Sequence, residues 1–275
     1  MKRVFVGGAL IAGAILIGLY SLSKAQEKEL TPEEEIRLVQ EANRMLAEGL
    51  NPAEYWYETG KELFKKYKLD KCDFGLGPGV VKGALAQLPR YFDDAKRVMD
   101  LETRLAYCLE KYAGMKKEDV VKFAKQCWGK TNCYSEYDAL VTYISMESNG
   151  YKVNVNLKDP RVKAEYEKGK ALFYARRGPW DFNCAVCHAG QKEQRIRATA
   201  LWSIDRDEAK QVVTKFPIYR VSWNQVFPMH YRYAECLRQM RWPELEPFSE
   251  YAVAMSTFLY GSANGAVIKI PGIGR

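Results

Sequence analysis

Histidine is almost missing from this chain: 275 residues hold two, His188 and His230. A zinc site that needs a second Cys/His pair close to a first one is therefore excluded. Long apolar runs are also scarce. After Tyr20 no stretch approaches the roughly 20 residues that cross a bilayer, so everything downstream is expected to be soluble. Runs of Lys and Arg are absent too, although the formal charge is +8. Without such runs the chain does not read as a nucleic-acid binder. Single arginines facing an anionic ligand are a better use of that excess.

What is present begins with Cys184-Ala185-Val186-Cys187-His188. C-x-x-C-H is the attachment signature of c-type haem. Two thiols add across the haem vinyl groups, and the adjacent imidazole reaches the iron from one face. The rival readings are a thioredoxin-like C-x-x-C and half of a zinc site. A redox C-x-x-C is expected at the end of a strand that opens a helix, whereas the segment before Cys184 reads as a helix. One covalent haem c is the expectation.

The N-terminus agrees with this. Lys2 and Arg3 precede the apolar run Val4 to Tyr20, and Ser23-Lys24-Ala25 forms a small-x-small cleavage pattern before Gln26. Residues 1–25 read as a secretory signal, with an uncleaved anchor as the rival. Haem is joined to C-x-x-C-H after export, so a periplasmic location is expected. Cleavage removes Lys2, Arg3 and Lys24 and no acid, which takes the formal charge from +8 to +5. Seven cysteines in an exported chain imply disulfides. Haem uses two of them, leaving Cys72, Cys108, Cys127, Cys133 and an odd one, Cys236.

Thr31-Pro32-Glu33-Glu34-Glu35 starts a well-capped helix with an apolar stripe at Ile36, Val39, Ala42 and Leu46. Beyond it the chain states nearly the same pattern twice. Asn51-Pro52 precedes Gly60-Lys61-Glu62-Leu63-Phe64, and Asp159-Pro160 precedes Gly169-Lys170-Ala171-Leu172-Phe173. Pro89 and Pro217 lie 128 apart, as do Arg104-x-x-x-Cys108 and Arg232-x-x-x-Cys236. Asn149-Gly150 and Asn264-Gly265 close the two halves. The expected fold is all-α, with two cytochrome c-like domains at 26–155 and 156–275 and a short extended linker near Tyr151 to Lys158. The first copy has Cys72-Asp73-Phe74-Gly75 and no histidine, so it cannot hold haem in this way. Cys72 stands where haem attaches in the second copy, and Cys108 stands where Cys236 does. The repeat therefore favours Cys72–Cys108 among three possible pairings, leaving Cys127–Cys133 to close a short loop.

Haem iron needs a second axial ligand or an open position. His230, Met229, Met240, Met255 and Cys236 are the candidates in the second half, and Met or His is the ordinary answer in an electron-transfer cytochrome. Cys236 is an unpaired thiol that ligation to iron would deprotonate. Arg195, Arg197, Arg220, Arg232, Arg238 and Arg241 cluster after the haem motif. Most suit solvated faces or haem propionates. Arg232 lies one helical turn before Cys236, where a guanidinium can hold a small oxyanion through paired hydrogen bonds.

Asn183 to His188, Arg195-Ile196-Arg197, Phe216-Pro217-Ile218-Tyr219-Arg220 with Trp223, Arg232-x-x-x-Cys236 and Pro271-Gly272-Ile273-Gly274-Arg275 together resemble SoxA, the catalytic haem subunit of the SoxAX cytochrome complex of thiosulfate oxidation. The resemblance covers essentially the whole mature chain. It implies His188 and Cys236 as axial ligands, Cys236 as a persulfide, and Arg232 as the substrate arginine. It implies an L-cysteine S-thiosulfotransferase that joins thiosulfate to a cysteine of the SoxYZ carrier, with the SoxX cytochrome as electron acceptor. Many members carry a second haem in the first domain. This chain resembles the monohaem branch, where a disulfide replaces it. The Cys127/Cys133 loop is not a general feature of the family. A plain electron-transfer cytochrome with Met or His ligation is the rival, as is a non-catalytic haem sensor or scaffold.

Overall fold

The structure is a computed structural model that describes residues 31–196, 199–207, 210 and 213–274. The signal-peptide reading and the motif residues Arg197 and Arg275 lie outside the described residues. In chain order the described helices are α1 (Pro32–Ala47), α2 (Glu54–Lys66), α3 (Leu101–Ala113), α4 (Lys117–Ala124), α5 (Glu136–Met146), α6 (Pro160–Tyr174), α7 (Cys184–His188), α8 (Met229–Gln239) and α9 (Glu250–Ser262). Three-residue strands accompany them: β1 (Arg90–Phe92), β2 (Arg97–Met99), β3 (Gln194–Ile196), β4 (Thr199–Leu201), β5 (Ile218–Arg220), β6 (Gln225–Phe227) and β7 (Gly272–Gly274).

The all-α expectation is corrected by these strands. They pair β1 with β2, β3 with β4, and β6 with β5 with β7, the last pair parallel. Apolar alternation is legible over four to eight residues, and three are too few to show it. The fold remains helix-dominated, and no helix among the described residues is long and apolar enough to cross a membrane.

Sequence-encoded caps begin several helices. Thr31 Oγ1 accepts the Glu34 N–H at 3.2 Å, and Glu34 returns a carboxylate to the Thr31 N–H at 2.7 Å. This exchange satisfies two donors, one of them among those the first turn of α1 leaves orphaned. Asp159 on α6, Ser135 on α5 and Ser249 on α9 each cap one way, the side chain accepting a backbone N–H of the first turn.

Two crossed helix pairs make the core. α2 packs on α5, and α6 packs on α9. Each crossing depends on a glycine. A Cβ on Gly60 would overlap the Ala139 carbonyl and stand 2.7 Å from Tyr143 Cβ; one on Gly169 would overlap the Ala254 carbonyl and stand 2.8 Å from Phe258 Cβ. The hairpins correspond as well. β1 and β2 pair Arg90 with Met99, β5 and β6 pair Ile218 with Phe227, and each hairpin leads into a helix, α3 or α8. The segment after α5 lies beside the C-terminal segment, with Val153 N–H donating to Ala266 O at 2.9 Å and Ile268 N–H donating to Tyr151 O at 2.9 Å.

A disulfide joins Cys72 to Cys108, S–S 2.02 Å, with both residues fully buried. Another joins Cys127 to Cys133, S–S 2.07 Å.

The first turns of α3 and α8 meet at a buried ionic cluster. His230 Nε2 lies 2.7 Å from Asp100 Oδ2, and Nδ1 lies 3.8 Å from Glu102 Oε2. Burial would lower the His230 pKa, but the charges of Asp100 and Glu102 outweigh it and hold it at about 9. Burial would raise Asp100, and the His230 charge and bonds hold its carboxyl below the usual carboxylate range. Glu102 is raised by burial against the pull of His230. The sign follows from linkage. The His230 contribution is complete below its unfolded value near 6.5 and is lost as pH rises through about 9. The Asp100 contribution is present above about pH 3.9 and is lost as pH falls. His230→Gln is expected to lose about 3–5 kcal/mol of unfolding free energy, because it strands buried carboxylate charge. It should also flatten the alkaline limb of stability. Denaturant unfolding across pH 5 to 10 checks both; a variant as stable as the parent would refute the ionic cluster.

Candidate haem and thiol site

The haem motif sits on one turn of helix with its own cap. Asn183 Oδ1 accepts the Val186 N–H at 2.8 Å, and its Nδ2 donates to Tyr174 O at 2.6 Å. The first bond starts α7, and the second ties it to the end of α6. Cys184 and Cys187, three residues apart, then share a face.

His188 is oriented by a residue that sequence reasoning did not single out. Its Nδ1 lies 3.0 Å from the Trp202 carbonyl oxygen, and the Trp202 ring stacks on the imidazole at 4.4 Å. A carbonyl only accepts, so Nδ1 carries the proton and Nε2 keeps the lone pair a metal needs. Burial pushes the His188 pKa down to about 4; the Trp202 carbonyl opposes this and the Arg232 charge adds to it. The imidazole is neutral at physiological pH, the form that ligates iron. No local pattern flags Trp202, because its role comes from a backbone carbonyl.

α8 brings Arg232 and Cys236 to the same place. Both are half-buried, while Tyr231, Tyr233, Glu235 and Leu237 are buried. Burial, followed by the neighbouring Cys236, pushes the Cys184 thiol up to about 12, and the same two causes raise Cys187. Tyr251 of α9 stands close enough to Cys184 to oppose that rise, a second neighbour missed from sequence because its position in α9 reads as core. Three free thiols, an oriented neutral imidazole and a guanidinium thus converge from α7 and α8. This donor set fits a covalently attached haem: two thiols on one face for the vinyl groups, a histidine with its lone pair exposed, and a third sulfur close by.

Other ligand candidates are committed elsewhere. His230 is bound to Asp100 and is 1% exposed. Met229 lines a cavity of about 20 Å³ with Asp100, Glu102, Pro89 and Pro217. Met240 and Met255 are buried in the hydrophobic core.

The arginines also sort themselves. Arg195 pairs with Glu193 and Arg238 with Glu235, Arg220 lies 5.0 Å from the centre of the Phe227 ring, and Arg241 lies over Trp180. Arg104, at the position 128 residues before Arg232, is absorbed by the fold. Its Nη1 and Nη2 bind Asp94 at 2.8 and 3.1 Å, its Nε donates to Asp73 O at 2.7 Å, and its guanidinium stacks on Phe92 at 4.0 Å. Arg232 makes no ion pair and no side-chain hydrogen bond among the described residues. Its donors are available to an anion.

Comparison with known proteins agrees with this chemistry. The model of the SoxA/TsdA cytochrome c domain matches residues 53–153, a span that ends before the C-x-x-C-H motif. Cytochrome c domains are the kind that bind haem c covalently. The chain is 39% identical over 273 residues to L-cysteine S-thiosulfotransferase subunit SoxA of Hydrogenophilus thermoluteolus, covering 96% of this chain and 98% of that one. It is 31% identical over 282 residues to the subunit of the same name from Hydrogenobacter thermophilus, covering all of both. In fold it resembles the crystal structure of SoxXA from P. pantotrophus, with a TM-score of 0.65 at 21% identity over 86% of this chain and 84% of that one. With relatives this similar over almost its whole length, the chain belongs to the SoxA family.

Proposed function

We propose that this chain is an L-cysteine S-thiosulfotransferase subunit that oxidatively joins thiosulfate to a cysteine of a carrier protein. The observation that carries the reading is the unpaired Arg232 one turn from Cys236, beside the haem motif. The same pair in the first half is spent on Asp94 and on a disulfide. Residues 1–25 act as an export signal to the periplasm. Residues 26–155 form a haem-free cytochrome c-like domain, stabilised by Cys72–Cys108 where other members hold a second haem. Residues 156–275 would hold one haem c through Cys184 and Cys187, with His188 and Cys236 as the residues that would ligate its iron.

The bound haem would supply one-electron redox chemistry and a positive iron centre beside the sulfur atoms. The remaining work falls to the chain. Trp202 fixes the His188 tautomer. Arg232 holds the sulfonate oxygens of thiosulfate through a forked pair of N–H donors, so that the sulfane sulfur points at Cys236. A bond forms between the Cys236 thiolate and that sulfur, and two electrons leave, taken as single equivalents by a partner cytochrome of the SoxX kind. The carrier thiolate, supplied by SoxYZ, then attacks the sulfane sulfur. The bond to Cys236 breaks, its thiolate is restored, and the carrier cysteine leaves as an S-thiosulfonate. The same exchange runs if Cys236 carries an extra sulfur as a persulfide.

The test combines the holoprotein, thiosulfate, a reduced carrier thiol and a ferric c-type cytochrome. The expected result is one thiosulfonate adduct on the carrier for every two cytochromes reduced, from an enzyme with one haem by pyridine haemochrome. Cytochrome reduction with no carrier adduct would make the chain an electron carrier only.

A further inference from the structure

The Cys127–Cys133 loop belongs to the first half, yet its backbone bonds reach into the second. Gly129 N–H donates to Tyr231 Oη at 2.6 Å. Asn132 N–H donates to Trp223 O at 2.8 Å, and Cys133 N–H donates to Gln225 Oε1 at 3.3 Å. Trp128 stacks on Tyr231 at 5.5 Å with 7° between planes, and Tyr231 stacks on Phe227 at 4.2 Å with 10°. Tyr231 is the middle ring of three and is 1% exposed. The loop therefore holds both the β5–β6 hairpin and the first turn of α8.

That helix has no side-chain cap of its own, since Pro228 stands at its N-cap. Glu102, also from the first half, supplies one by accepting the His230 N–H at 2.9 Å. A cap fixes where a helix starts, and the His230–Asp100 pair already resists a roll of the whole helix, which would in any case move Arg232 and Cys236 together. A local twist of the first turn is what would carry the Arg232 guanidinium away from Cys236, one turn further on, because the side chain reaches several ångströms from the helix axis. Tyr231 is the residue directly before Arg232, and the ring stack with its hydrogen bond resists that twist. The loop tip itself, residues 129–132, is exposed and buries little apolar surface. Its contacts are directional ones, and the disulfide across a sequence separation of 6 keeps them in place.

We propose that the Cys127–Cys133 loop is a positioning element that sets the first turn of α8 through Tyr231 and thereby aims Arg232 at the anion. Tyr231 is a positioning residue; it acts through Arg232. This rests on Arg232 being the thiosulfate clamp.

The experiment is a double-mutant cycle on the holoprotein. Tyr231→Phe keeps the ring stack and removes the acceptor of the Gly129 N–H. It is expected to raise the KM for thiosulfate on the order of three- to tenfold with kcat little changed, as an imperfectly aimed clamp would. In an Arg232→Ala background the same substitution should add nothing, since residues acting as one unit are not additive. Cys127→Ser with Cys133→Ser should raise KM similarly. It should also speed amide hydrogen exchange across residues 229–239 while leaving 101–113 protected. Multiplying effects in the cycle, or unchanged exchange over 229–239, would overturn the proposal. If Arg232→Ala raises KM and Tyr231→Phe does not, the positioning role alone falls. If Arg232→Ala itself is silent, the clamp reading falls and takes this inference with it.

Discussion

Cys236→Ala is expected to abolish thiosulfate conjugation, by on the order of a thousandfold or more, the scale seen when an enzyme loses its nucleophile. Covalent haem should survive, because Cys184 and Cys187, the proposed thioether positions, lie on α7, a different element. The ferric iron should nonetheless change its visible and EPR spectra, since a thiolate ligand pushes electron density onto iron and its loss raises the potential. Haem-stained gels, spectra and turnover on one preparation check all three. An unchanged low-spin spectrum would mean a different distal ligand. The geometry narrows what that ligand is: His230 is held by Asp100 at 2.7 Å, so a methionine would have to leave the core.

Arg232→Ala is expected to spare the fold and the haem spectrum and to lower turnover at limiting thiosulfate by tenfold to a hundredfold. A charge-assisted hydrogen-bonding partner is worth about 1.5–3 kcal/mol, and each 1.4 kcal/mol is about a factor of ten. The fold should tolerate the change because Arg232 is half-buried and makes no ion pair among the described residues. Arg104 is the contrast, at 1% exposure and with both Asp94 oxygens bound. Arg232→Lys should recover only part of the loss, since an ammonium keeps the charge without the planar fork. If Arg232 instead serves a haem propionate, the substitution should shift the reduction potential and leave thiosulfate kinetics nearly intact. Potentiometry and kinetics on the same variant separate the two.

The sequence by itself determined what local chemistry can determine. Thr31 and Glu34 are three residues apart and cap α1 whatever surrounds them. Asp159-Pro160 starts α6 for the same reason. Cys184 to His188 spell out the signature of haem attachment within one helical turn, and Arg232 and Cys236 share a face because a helix repeats about every 3.6 residues. Family membership was legible from the same motifs.

Only the tertiary structure decided which of two equally spaced arginines is spent and which is available, because Asp94 and the Asp73 carbonyl reach Arg104 only when the first half closes. It removed His230 from the ligand candidates through Asp100, 130 residues away. It chose the His188 tautomer through the carbonyl of Trp202, a group every residue possesses and no sequence pattern distinguishes. It turned the Cys127–Cys133 loop from an unassigned feature into a hold on α8, through a Gly129 amide 102 residues from Tyr231. Caps and helix faces depend on neighbours within a turn or two and can be read along the chain. Partnerships between side chains and backbone groups a hundred residues apart exist only after burial has brought the two halves together.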